Sequence, residues 1–181
     1  MEHCIFFVAP VEPRPVGELL RHVREQQAKG TTKIHLAISS YGGHSRDGFA
    51  CHYGLQSSGV EVVTYNLSNV ESAAVPIFLT GSERIMFPNS SITVHRPKRT
   101  FKEDSKLDVN DAFEIWKTLL SDTVDLADIL AKRTGTTKDN ALEMVRDSKV
   151  MDPKDAVELG FATKVELAVF PVDMPTTSIR F

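Results

Sequence analysis

A serine, a histidine and a pair of glycines are the residues of this chain whose types and order could do chemistry. Ser72 follows an apolar, β-branched stretch (residues 60–65) and the polar turn Ser68-Asn69, and it precedes an apolar stretch that reads as a helix. A nucleophilic serine there needs a base to take its proton and amide donors to hold the oxyanion that forms in acyl transfer. His95 closes the short apolar run 92–94 and is held two residues later by Pro97. Its ordinary pKa of about 6.5 suits a general base near neutral pH. Gly42 and Gly43 follow another apolar run, and consecutive glycines let a backbone come close to a ligand and turn its N–H groups toward it. By position alone the plainer readings stay open: Ser72 as a first-turn helix residue, His95 as a partly buried strand end, and Gly42-Gly43 as a simple turn. His44, beside the glycines, is the competing histidine, whereas His35 and His52 read as structural.

Other chemistries find less support. The chain has no G-x-G-x-x-G and no Gly-Lys-Ser/Thr phosphate loop, and no two histidines stand four apart beside a carboxylate. Neither a nucleotide cofactor nor a metal is therefore expected. Cys4 and Cys51 make no disulfide framework and read as buried thiols. With 21 Lys+Arg against 24 Asp+Glu the formal net charge is −3, which argues against the nucleic-acid backbone as a partner. Hydrophobic residues at 41% and charged residues at 25% exclude disordered and coiled-coil classes. The apolar runs 5–11 and 73–79 fall far short of the roughly 18–20 residues that span a bilayer. Met1-Glu2-His3-Cys4 lacks the basic start of a secretory signal, so no membrane partner and a cytoplasmic location are expected.

The elements that must position these residues read as alternating strand and helix over 181 residues, a length that fits a single domain. Apolar runs at 5–9, 34–38 and 60–65 predict buried strands, with 84–87, 91–94 and 161–169 as further ones. Val16, Leu19, Leu20 and Val23 recur on one helical face. The class is α/β with parallel strands. Residues 98–108 are polar and charged, and a long helix over 109–133 follows, with Val109, Phe113, Trp116, Leu120, Ala127 and Leu130 on one stripe. At about 1.5 Å per residue it would be roughly 37 Å long, long enough to project toward a partner subunit. Helices are also predicted over 138–146 and 153–159, the second opened by Asp152 and Pro153. The Pro/Thr-rich tail from Pro171 is expected to be loose.

Taken in order, these landmarks resemble the proteolytic subunit of the Clp protease, a serine peptidase of the Clp/crotonase fold. Ser40-Tyr41-Gly42-Gly43 is similar to that family's Ser-Pro-Gly-Gly turn, Ser72 to its helix-heading nucleophile, Pro88-Asn89-Ser90 to its Pro-Asn-Ser turn, and His95-Arg96-Pro97 to its His-Gln-Pro. Thr134-Gly135 and the segment Asp152-Pro153-Lys154-Asp155-Ala156 through Gly160 resemble its closing motifs. The match runs over about 5–165. It implies a Clp/crotonase-type ββα superhelix in one domain, with a projecting handle over about 98–134. It further implies a serine endopeptidase with Ser72 as nucleophile, His95 as base, and the backbone N–H groups of Gly43 and Ala73 as oxyanion hole, with no cofactor. The family's catalytic aspartate aligns with Ser148, and Asp147, one residue away, is the carboxylate assigned to that role. Peptide or unfolded-protein substrates, self-association into rings and a Clp-type ATPase partner are the implied interactions.

The sequence also departs from the family pattern. Tyr41 replaces the turn proline, Asn69-Val70-Glu71 replaces a small uncharged run, Ala73-Ala74 replaces Met-Gly, and the interval from Ser72 to His95 is about two residues shorter. A carboxylate at Glu71 facing the site would oppose an oxyanion. The family's N-terminal segment with its axial loops has no counterpart ahead of residue 5. The alternative implied by these departures is a catalytically weak or inactive Clp-fold ring subunit or scaffold, with a crotonase-type acyl-CoA enzyme as a distant third.

Overall fold

The sheet begins with three parallel strands joined by helices. The structure, a computed structural model, describes residues 1–101, 104 and 106–180. Strand β1 (Glu2–Val8) leads to helix α1 (Pro13–Ala28), β2 (Lys33–Ser40), α2 (Ser45–Gln56) and β3 (Glu61–Glu71). In α1, proline opens the first turn, where its missing N–H costs nothing. Val16, Leu19 and Val23 then face the sheet on one buried stripe, and Gly30, at φ +84°, takes the left-handed conformation after the helix. β1 pairs with β2 and β2 with β3, both parallel.

The course of β3 decides where the candidate serine emerges. Its pairing with β2 runs in register to Ile38 opposite Asn66 and then jumps to Ser40 opposite Val70. This bulge re-aims the end of the strand. Before it, Val63 to Asn66 pair with β4 (Glu83–Met86); after it, Asn69 to Glu71 pair with β5 (Ser91–Thr93). Helix α3 (Ala74–Phe78), which follows β3, is wholly buried. The polar turn expected at Ser68-Asn69 is thus an irregularity inside one long strand, because Asn69 and Val70 recover ladder partners beyond it.

Helix α4 (Val109–Thr134) opens on a reciprocal cap between Asp108 and Asp111 and closes at Gly135, φ +79°. Its expected apolar stripe divides. Ala127 and Leu130 are buried, as are Leu126 and Ile129 beside that stripe, while Val109, Phe113, Trp116 and Leu120 are exposed. The last two turns therefore pack on the core and the first half projects. The polar stretch expected at 98–108 includes residues 102, 103 and 105, which lie outside the described residues.

Helix α5 (Lys138–Asp147), β6 (Val150–Met151), α6 (Pro153–Glu158) and β7 (Lys164–Val165) complete the body, and β8 (Thr176–Arg180) lies parallel beside β1. Two sequence expectations differ from this. The strand expected over 161–169 is paired only at Lys164–Val165. Where a loose tail was the expectation, residues 176–180 are a strand, held by the Cys4 N–H to Pro175 O bond (2.9 Å) and by Thr177 Oγ1 against His3 Nε2 (2.9 Å). The main core lies between the sheet and the helices. A smaller cluster of Ala37, Val63, Tyr65 and Ile85 lies under Phe6, Phe87 and Phe170. No helix among the described residues is long and apolar enough to cross a membrane.

Candidate active site

Ser72 sits on a sharp turn between β3 and α3, with φ at +53°. A residue with a Cβ takes that conformation at a cost of roughly 1 kcal/mol and holds it only when its surroundings over-determine it. Four contacts do so here. The Ser72 N–H donates to Thr93 O (2.8 Å), and Ser72 O accepts from Val75 N (3.0 Å) to start the helix. Gly42, at φ +86°, comes so close that a Cβ on it would stand 2.8 Å from Ser72 Cβ and 2.6 Å from Glu71 O. From the other side, a Cβ on Gly48 of α2 would stand 2.4 Å from Ala73 O. Two glycines of one strand–turn–helix unit thus grip the serine turn, which larger residues would displace.

His95 follows β5 and is half-buried. It lines the same narrow cleft as Ser72, together with Ser45, Phe49, Ala73, Pro76, Pro97 and Leu126. The cleft measures about 10 Å³, room for about one water molecule. His95 Nδ1 lies 2.8 Å from Arg96 O. A carbonyl only accepts, so Nδ1 is the donor, and in the neutral ring this leaves the lone pair on Nε2, the tautomer that a general base requires. Among the described residues no hydrogen bond joins Ser72 Oγ to His95.

The glycine pair is held by its own contacts. Gly42 N–H donates to Ser40 Oγ (3.2 Å), while Val11 N donates to Gly42 O and His44 N to Val11 O, both at 2.8 Å. A Cβ on Gly43 would stand 2.3 Å from Val11 O. These bonds use the amides on either side of Gly43 and leave its own N–H without a described partner, as is also true of the Ala73 N–H.

Asp147 and Ser148 are exposed at the end of α5, and Ser148 adopts φ +59°. β5 and β6 are antiparallel, with Ile92 opposite Met151 and Thr93 opposite Val150, and Val94 N donates to Lys149 O (2.9 Å). Continuing that register sets Ser148 across from His95. Neither side chain is bonded to the imidazole, whose Nδ1 is engaged by Arg96.

Glu71 is half-buried, and its Oε1 accepts from Asn69 Nδ2 at 3.5 Å. It does not line the cleft, so its charge is directed to Asn69. Tyr41 is 80% exposed. His44 pairs with Asp47 at the head of α2 (3.1 Å), and His52 is buried against Pro76 O (2.7 Å). Sequence reasoning missed Thr93, Phe49 and Leu126, none of which carries a local signal. Among the described residues no group of three or more His, Cys, Asp or Glu is placed to hold a metal ion.

A family model described as Clp protease matches residues 3–168. Among solved structures, a ClpP1 mutant from Listeria monocytogenes is similar to this chain, with a TM-score of 0.81 at 16% identity over 92% of each chain. At that identity the likeness is one of fold.

Proposed function

The chain belongs to the Clp protease family, and from that premise we propose that it is a serine endopeptidase acting through an acyl-enzyme at Ser72. The observation that carries this reading is that Ser72, held in a left-handed turn, opens into one cleft with His95. In the proposed reaction His95 Nε2 takes the Ser72 hydroxyl proton as Oγ attacks the peptide carbonyl. The oxyanion that forms is held by the Gly43 and Ala73 N–H groups, each worth a few kcal/mol in such sites. Collapse breaks the C–N bond, and the leaving amine takes the proton from His95. Water, deprotonated in turn by His95, releases the acid and restores Ser72.

Asp147 is the carboxylate assigned to stabilise the imidazolium, with the Arg96 carbonyl holding Nδ1 in the resting arrangement. The exposed face of α4, where Phe113 and Trp116 stack at 5.8 Å, is assigned to self-association as the handle through which stacked rings meet. A Clp-type ATPase as partner and a cytoplasmic setting belong to the same reading. Replacing both aromatics (Phe113→Glu with Trp116→Glu) should shift the sedimenting species to smaller size, and an unchanged profile would remove that assignment.

The second reading, a weak or inactive ring subunit, is favoured by one observation: a neutral carbonyl, not a carboxylate, faces His95 Nδ1. Treatment with a fluorophosphonate probe separates the two. The peptidase should be labelled at Ser72 and the Ser72→Ala variant should not; absence of label from the wild-type chain at neutral pH would sink the peptidase reading.

A further inference from the structure

Arg46 is placed where a helix least favours a cation. It is the second residue of α2, and the positive end of the helix dipole repels it. Its compensation comes from another element 75 to 79 positions away in sequence. Arg46 Nη2 lies 2.6 Å from Asp122 Oδ1, Nη1 lies 3.0 Å from Asp125 Oδ2, and Nη2 also donates to Ser121 Oγ (3.2 Å), all three on α4. Asp122 is only 6% exposed, and its Oδ1 has no aligned hydrogen bond, so the guanidinium charge is what balances it. Burial pushes the Asp122 carboxyl above the ordinary carboxylate range against the pull of Arg46. Removing Arg46 would leave that carboxylate buried and uncompensated.

This clamp adjoins the cleft on both sides. The Arg46 guanidinium stands 5.7 Å from the centre of the Phe49 ring. Phe49, with Ser45 on the same helix and Leu126 one turn beyond Asp122, lines the cleft that holds Ser72 and His95. The same helix begins two residues after Gly43, with His44 as its N-cap, and wedges Gly48 against Ala73 O. A shift of its first turn would therefore move both candidate oxyanion donors at once. We propose that Arg46 is a positioning residue that, by clamping the head of α2 to the buried Asp122 of α4, holds the Gly43 and Ala73 amides in register with Ser72.

The inference rests on the peptidase reading above, and its test keeps the two apart. The full chain and its Arg46→Met, Arg46→Lys, Asp122→Asn and Ser72→Ala variants are compared by hydrolysis of a fluorogenic peptide and by rate of fluorophosphonate labelling. Donors that act only in the transition state change kcat, so Arg46→Met and Asp122→Asn should lower kcat about tenfold or more with KM within about twofold, and Arg46→Lys should recover part of the loss. An active wild type with Arg46→Met at an unchanged kcat, or with only KM raised, would overturn the clamp. If the wild type neither turns over nor labels, the peptidase reading fails first, and the clamp is then judged by amide exchange. Arg46→Met must speed exchange at the hydrogen-bonded amides of His44 and Gly48 by about tenfold, and Arg46→Lys, should Met not fold, by a smaller measurable factor; unchanged protection there refutes it.

Discussion

The backbone N–H of Ser72 donates to the carbonyl of Thr93 at 2.8 Å, which ties the serine turn to the last residue of β5, two positions before His95. The distance between the two candidate catalytic residues is therefore set by one ladder rung and not by the 23-residue path between them. The same rung holds Ser72 at φ +53°. Glycine relieves that conformation and alanine does not, so Ser72→Gly should be more stable than Ser72→Ala by roughly 0.5–1 kcal/mol. Urea unfolding of the two variants measures this; equal midpoints would mean that the turn is unstrained.

Gly42 and Gly17 predict opposite responses to the same substitution. A Cβ at Gly42 meets Glu71 O, Ser72 Cβ and Ala73 N at 2.6–3.0 Å, and its φ of +86° is itself unfavourable to alanine. Gly42→Ala should destabilise by roughly 2–4 kcal/mol and abolish labelling of Ser72. At Gly17, inside α1, nothing lies within 4 Å, and alanine there should stabilise by roughly 0.5–1 kcal/mol. Urea midpoints for both variants check the pair, and a stable Gly42→Ala chain would refute the close approach.

Mild acid should weaken the fold through buried histidine. His52 donates Nδ1–H to Pro76 O at 2.7 Å beneath the serine-headed helix. Burial, with the nearby Arg133 cation, outweighs that carbonyl and holds the imidazole pKa below its ordinary value. Burial does the same to His3, which anchors β8. The unfolded chain binds these protons near pH 6.5 while the folded chain refuses them, so the stability is full above about 6.5 and is lost as pH falls toward the lower folded values. The urea midpoint should be lower at about pH 5.5 than at about pH 7.5, and His52→Asn should narrow the difference. An equal midpoint at both pH values would contradict the assignment.

Asp147 and Ser148 can be tested against each other. If Asp147 completes the triad, Asp147→Ala should lower kcat by about 10²-fold or more. Ser148 holds φ +59° opposite His95, a conformation that aspartate tolerates. Ser148→Asp in the Asp147→Ala background should then restore part of the loss by placing a carboxylate across from the imidazole. Steady-state peptide hydrolysis reads both, and an unchanged kcat in Asp147→Ala removes Asp147 from the mechanism.

Much of this arrangement is legible in the chain itself. The helical spacing of Val16, Leu19 and Val23, the glycines after β2 and the proline after Asp152 each act over a few residues, so the elements they mark could be read directly. Gly43, Ser72 and His95 were singled out by their order and its resemblance to the Clp family, since each alone carries only a weak local signal. Less visible was the course of β3, where local turn chemistry at Ser68-Asn69 competes with ladder pairing to β5 and the pairing prevails. The tail strand β8 was hidden as well, because its composition reads as loose and only the free edge of β1 gives it partners.

Residue types and short-range periodicity determined the α/β class and the long helix, and the resemblance to the Clp family singled out Ser72 and His95 as candidates. The tertiary structure alone decided that Ser148 comes opposite His95 and that the Ser72 amide meets the Thr93 carbonyl. It also decided that a cation at the head of α2 is balanced by a carboxylate buried on α4. Each of these joins groups through strand register or burial, and neither is encoded in the spacing of neighbouring residues. Both arise when the sheet closes and the helices cover it, at which point distance along the chain no longer measures distance in space.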